Sequence, residues 1–150
     1  MNLRRTDKLD IADEMLDAAI SEFLDAQRHF AAMNLAGVAQ ELYGRQVRLT
    51  GLTDQIQETI RAANMFAEMH GASVSDKEWW EIAGRPKNSI KHFDSESDRH
   101  VHLDAEDEAR FMIGDAISEH DKLDRINSSD VERFNEYARD YSIRCEPSCK

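Results

Sequence analysis

Apolar residues recur at intervals of three and four along most of this chain, and each run carries its own start and stop signals. Leu9, Ala12, Leu16, Ala19, Ile20, Phe23 and Leu24 form the first stripe, behind an acidic cap at Asp7 or Asp10, and predict a helix to about Arg28. Ala32, Leu35, Ala36, Ala39, Leu42 and Tyr43 form a second, closed by Gly44 or Gly51 after the basic Arg45 and Arg48. Its small residues Ala36, Gly37 and Ala39 let a neighbouring helix come close, so the pair predicts an antiparallel hairpin.

Thr53 offers an N-cap to a third helix with Ile56, Ile60, Ala63, Phe66 and Met69 on one stripe, stopped by Gly71. Ser75 and Glu78 have the spacing of a capping box and open a short fourth helix through Trp79, Trp80 and Ile82 to Gly84. Pro86 then predicts a break followed by the first turn of a new helix, where proline is tolerated. A polar stretch without periodicity separates Phe93 from Leu103. Asp104, with Glu106, Asp107 and Glu108 behind it, starts a helix that carries Ala109, Met112, Ile113, Ala116, Ile117, His120 and Leu123 inward. A last helix begins at Ser128 or Ser129, with Glu132 placed for a capping box and Phe134, Tyr137, Ala138 and Tyr141 as its apolar face. With no strand-like alternation, the expectation is an all-α, single-domain bundle of about five to six helices. Residues 1–6 form an arm, 7–141 the helical domain and 142–150 a tail.

Composition agrees with that expectation and narrows the function. The 150 residues are 41% hydrophobic and 33% charged, with 6 glycines and 2 prolines, a helical rather than a sandwich-like profile. A formal charge of −11 argues against broad, non-specific DNA or RNA binding, which depends on many Lys and Arg contacts to phosphate. No apolar run approaches the length of a membrane span or resembles a secretory leader, so a cytoplasmic location without membrane contact is expected. Cys145 and Cys149, with Pro147 between them, make neither a zinc set nor a disulfide framework.

Against this acidic background one basic stretch stands out, Gly84-Arg85-Pro86-Lys87-Asn88-Ser89-Ile90-Lys91-His92. On a helix begun at Pro86, Asn88 and His92 share a face at i and i+4, and Arg85 and Lys87 lie at the N-terminus of the same turn. Such an arrangement suits either an anion site or a plain surface turn. Phosphate loops, nucleophile elbows and the His-Glu-x-x-His and Glu-x-x-His pairs are all missing. His92, Asp94, Glu96, Asp98, His100, His102 and Asp104 carry donors suited to zinc or nickel, but a loop of this composition is ordinarily just solvated, and neither metal nor cofactor is expected. Trp79 and Trp80 cannot share one helix face, so one is assigned to the core or an interface and the other to the surface. His29, His70 and His120 read as structural.

The interval from Arg85 to His92, late in an all-α domain of this length, resembles the Arg-then-His motif of the HEPN superfamily, many of whose members are metal-independent endoribonucleases. The run Leu35-Ala36-Gly37-Val38-Ala39-Gln40-Glu41-Leu42-Tyr43-Gly44 is similar to a bacterial HEPN-like group. The resemblance covers most of residues 7–124. It implies attack of a ribose 2′-hydroxyl on the adjacent phosphate, leaving a 2′,3′-cyclic phosphate and a 5′-hydroxyl. His92 would transfer the proton, since imidazole exchanges protons near neutral pH. Arg85 would bind the scissile phosphate and Asn88 would orient imidazole or phosphate, with Lys87 and Lys91 as substrate-binding cations. It also implies a homodimer, an RNA substrate, and an antitoxin or nucleotidyltransferase partner in a toxin–antitoxin or defence system.

Two positions depart from the family pattern. Pro86 follows the motif arginine, where a polar residue is usual, and anchoring the motif on Asn88 and His92 puts Lys87 in the cation position. Lysine holds phosphate as a point charge without bidentate geometry. The alternative expectation is therefore a catalytically inactive HEPN-like module that binds a protein partner, nucleotide or small ligand.

Overall fold

Most of the helix starts follow from short side-chain caps that satisfy the first free amides; the helix that begins at His29 has no such cap. A computed structural model describes residues 3–145, with side chains to Arg144. Among these residues there are six α-helices, α1 (Lys8–Leu24), α2 (His29–Leu49), α3 (Gln55–Met69), α4 (Asp76–Ser89), α5 (Ala105–Lys122) and α6 (Ser129–Cys145), and one 3-10 turn at Glu96–Arg99. Asp7 accepts from the Leu9 amide, Asp104 from the amides of Glu106 and Asp107, and Ser128 from that of Val131. Ser75 and Glu78 close the full capping box of α4. No helix among the described residues is long and apolar enough to cross a membrane.

Four of the helices form the bundle. Tyr43 donates to Asp13 at 2.6 Å near one end of α1 and α2, and Phe23 meets His29 edge-on at the other, so the two run antiparallel as expected. α5 runs parallel to α2. Met112 lies 3.9 Å from where a Gly37 Cβ would stand, Gln40 donates to Asp115, and Glu119 lies 3.5 Å from the corresponding point on Gly44. α6 lies along α1, tied by Ser128 to Asp17 and Arg133 to Asp25, and its far end brings Tyr141 over Arg110 at the start of α5. Leu16, Ile20, Phe23, Met33, Tyr43, Ile113, Val131 and Phe134 fill the centre, each large side chain contributing about 1.5–3 kcal/mol by burial.

Parallel α2 and α5 cannot be joined by a tight turn, because the chain must travel back along the 21 residues of α2, about 30 Å. α3 and α4 make that return as a side hairpin. Several boundaries differ from the sequence expectation, each for a local reason. α1 stops at Leu24 rather than about Arg28, and Gln27, at φ 55°, turns its amide back onto the Phe23 carbonyl. Gly44 lies inside α2, against Glu119, and Gly51, at φ 84°, makes the turn instead. Asp54, not Thr53, caps α3, accepting from the Gln57 amide at 2.8 Å. On the α3 stripe Ile60 is buried, though outside the central core cluster, whereas Phe66 and Met69 are 65% and 82% exposed. The Cys145 and Cys149 thiols and Pro147 lie outside the described side chains.

Candidate functional site

The basic stretch has a different local structure from the one its sequence predicts. Gly84 does not end the fourth helix and Pro86 does not start a fifth; α4 runs unbroken from Asp76 to Ser89 with Pro86 inside it. A proline there removes one amide from the ladder and crowds the carbonyl four residues back, yet contacts on both sides hold the helix in register. Trp79 donates to Asn64 of α3 at 2.6 Å, and the Lys87 stem packs 3.5 Å from the Gly37 position on α2. The Pro86 carbonyl, in the last turn, is taken by the Ser89 hydroxyl. Asn88 and His92 accordingly do not share a helical face. His92 lies just past the helix end, and its backbone amide donates to the Asn88 carbonyl at 3.1 Å.

A cleft of about 570 Å³ opens between the last turn of α4 and the segment that leads to α5. Arg85, Asn88 and His92 line it together, as do His100 and His102 from the opposite wall. A single space therefore holds a guanidinium, an amide and three imidazoles. Four carboxylates, Glu81, Asp94, Asp98 and Glu108, also face it. Arg85 and His92 are exposed, so both are free to meet a ligand from solvent.

The two lysines go elsewhere. Lys87 crosses α2 and pairs with Glu41 at 3.4 Å, so it is not beside His92. Lys91 lines a neighbouring cleft with Phe30, Asn34 and Arg99, and that cleft shares Ser89, His92, Asp98 and Val101 with the first. His100 has extended backbone, but among the described residues no group of three or more His, Cys, Asp or Glu side chains is placed to hold a metal ion. Trp79 is half-buried and Trp80 is 41% exposed, so neither enters the core. His120 is buried edge-on to Tyr43, His29 packs on Phe23, and His70 lies against Phe66.

A second cluster of polar side chains is not signalled by any motif. Gln40, Asp54 and Glu119 are buried where α2, α5 and the start of α3 meet. Asp54 pairs with Arg48 while capping α3. Glu119 accepts from the Gln55 amide at 2.5 Å. Asp115, one turn before Glu119 on α5, receives the Gln40 amide at 3.3 Å. Burial pushes the Asp115 carboxyl up to about 6, with the neighbouring Glu119 charge acting in the same direction, and burial raises Glu119 too. The sequence signal is the spacing Met112, Asp115, Glu119, which puts two carboxylates at the margin of the apolar stripe of α5. On the other side of the bundle burial pushes Asp13 up, but bonds from Arg125 and Tyr43 outweigh it and hold the carboxyl below its usual range.

Models of known protein families, curated proteins and solved structures contain no match to this chain.

Proposed function

We propose that the chain is a HEPN-like, metal-independent endoribonuclease that forms a 2′,3′-cyclic phosphate, and that the cleft of Arg85, Asn88 and His92 is its active site. The observation that supports this is the presence of His100 and His102 in the same cleft. Cleavage by a 2′-hydroxyl needs two proton transfers. One imidazole accepts the 2′-hydroxyl proton as O2′ attacks phosphorus, and a second donates a proton to the departing O5′ as the P–O5′ bond breaks. His92 takes one role and His100 or His102 the other. Arg85 pairs with the phosphoryl oxygens, whose charge increases in the transition state. Asn88, anchored next to His92 through its carbonyl, orients the phosphate with its amide.

The test is incubation of the protein with RNA in EDTA beside His92→Ala and Arg85→Ala. Cleavage that survives chelation, leaves cyclic phosphate and 5′-hydroxyl ends, and disappears in His92→Ala supports the assignment. No cleavage, or cleavage indifferent to both substitutions, rules it out. A second function, a catalytically silent module binding a protein, nucleotide or small ligand in the same cleft, is favoured by the wall itself. Lys87 is engaged by Glu41, and the single guanidinium of Arg85 faces four carboxylates. An inactive protein whose melting temperature still responds to nucleotides, and not in Arg85→Ala, points to that module.

A further inference from the structure

Next to the His92 cleft, across Asn88 and Glu108, the Asp115 and Glu119 carboxylates of α5 open onto a crevice roofed by the α3–α4 hairpin. It has two lobes, about 270 Å³ and about 110 Å³, whose walls share Gln40, Ile56, Trp80 and Lys87. The larger lobe is walled by Trp80, Phe111, Ile56 and Met112 and carries Asp115 and Glu108. Its volume falls below that of a drug-sized pocket, about 300–1,000 Å³, and suits a short, slender ligand. The smaller lobe ends at Glu119.

The charges in this crevice do not balance. Arg48 is taken by Asp54, and Lys87 by Glu41. Among the described residues Asp115 accepts from the neutral Gln40 amide, and the Lys122 charge acts on it without a hydrogen bond. Glu119 is 1% exposed, and its Oε2 has no hydrogen-bond partner, with Lys122 Nζ at 4.0 Å. An unpartnered buried carboxylate oxygen costs about 1–3 kcal/mol or more, so a donor reaching it from the crevice gains what the fold leaves unsatisfied. The donor sets here do not converge as a metal site requires. The walls are aromatic and aliphatic, which suits the alkyl stem of an organic cation and the ring-face attraction of its charged head.

We propose that this crevice binds a primary alkylammonium or alkylguanidinium group, with the charged head at Asp115 and Glu119 and the stem along Trp80. The group can come from a free small amine or from a lysine or arginine side chain of a partner protein. The crevice and the proposed RNA site meet at Asn88 and Glu108, but amine binding is read without RNA and RNA cleavage without amine, so either can fail without the other.

The test is titration of the intact ¹⁵N-labelled protein with butylammonium, putrescine and agmatine, with butanol as a neutral control, and with a short lysine-containing peptide. The expected result is saturable binding of the amines but not of butanol, shifting the Trp80 indole and the Gln40 and Asp115 amides. Asp115→Asn should weaken binding at least about tenfold, while loss of one remote exposed charge in Glu136→Gln changes it by less than about twofold. Because Glu119 also anchors α3, Asp115→Asn and the butylammonium-to-butanol contrast in the unaltered protein carry the test. Tighter binding of the peptide than of any free amine assigns the site to a partner's side chain; the reverse order assigns it to a small molecule. No saturable binding of amine, guanidine or peptide at millimolar concentration overturns the proposal. So does amine binding that Asp115→Asn and Glu136→Gln weaken equally, which would reflect only the net negative charge.

Discussion

The bundle of α1, α2, α5 and α6 and the return hairpin of α3 and α4 are built on different terms. Among the described residues every buried apolar side chain lies on the four bundle helices except Ile60 and Ala67, and α4 buries none. The hairpin and the segment after it expose Met65, Phe66, Met69, Trp80, Ile82 and Phe93. Yet Arg85, Asn88, His92, His100 and His102, and the Trp80 roof of the crevice, all belong to this lightly packed half. Stability is thus concentrated where there is little accessible chemistry, and the accessible chemistry sits where a substitution costs little folding energy. Loosely packed segments open locally at lower free energy than the core, which suits a segment that must admit a ligand.

The largest effect that separates the halves is catalytic. If His92 transfers a proton, His92→Ala lowers RNA cleavage by about 10²–10⁴-fold and Arg85→Ala by about 10²–10³-fold, with the melting temperature unchanged in both. Lys87→Ala leaves the rate within about threefold, because that ammonium is engaged by Glu41 at a partly exposed site. A rate that falls as far in Lys87→Ala as in Arg85→Ala would reassign the cation position and unsettle the geometry of the cleft.

Stability gives the converse contrast. Phe23 is buried at the meeting of α1 and α6, in edge contact with Phe134 and Tyr137. Phe23→Ala should cost about 3–5 kcal/mol in urea unfolding, whereas Phe66→Ala on the exposed side of α3 should stay within about 0.5 kcal/mol. Equal losses would mean that α3 is covered in solution and that the two halves are not distinct.

How far the sequence can be read follows the same division. The bundle helices are legible because each has a wide apolar stripe, and three of them also have a capping residue, Asp7, Asp104 or Ser128, among those their spacing offers; α2 has none. α3 misleads because periodicity shows that a helix has an apolar face but not that anything covers it, as Phe66 and Met69 demonstrate. At Pro86 local propensity predicts a helix start, and tertiary contacts at Trp79 and Lys87 carry the helix through instead. Arg85, Asn88 and His92 come together despite this error, because seven residues of chain keep them close however the turn is made. The contribution of His100 and His102 to the same cleft depends on how distant segments pack and leaves no local signature, while Asp115 and Glu119 show in the sequence only as two carboxylates at the margin of the α5 stripe.

Asp115 permits a smaller test at the boundary between the halves. Burial pushes its carboxyl up to about 6 in the folded state from an ordinary 3.8, so the native state holds more protons than the unfolded state between those values. Stability from this group is therefore present below about pH 4 and is lost as pH rises through 6, by up to roughly 3 kcal/mol. Asp115→Asn should stabilise the protein at pH 7.5 and have little effect at pH 4, with the lost Gln40 bond to a charged acceptor offsetting part of the gain. Thermal melts at the two pH values check this, and a substitution that destabilises more at pH 7.5 than at pH 4 would reverse the assignment of burial as the dominant cause.

The smallest global effect should come from Pro86→Ala. Restoring an amide at position 86 lets it donate to the Ile82 carbonyl, and the helix preference of alanine over proline is worth up to about 3 kcal/mol in a helix interior. Because α4 has no buried residue, that gain should remain within the hairpin rather than reach the bundle. Amide exchange between Ile82 and Ser89 should slow by about ten- to a hundredfold, while the global unfolding free energy moves by less than about 0.5 kcal/mol. A global gain as large as the local one would show that hairpin and bundle unfold as one unit. Slower exchange accompanied by weaker ligand binding at Arg85 and His92 would show instead that the proline keeps the end of α4 loose for the cleft to open.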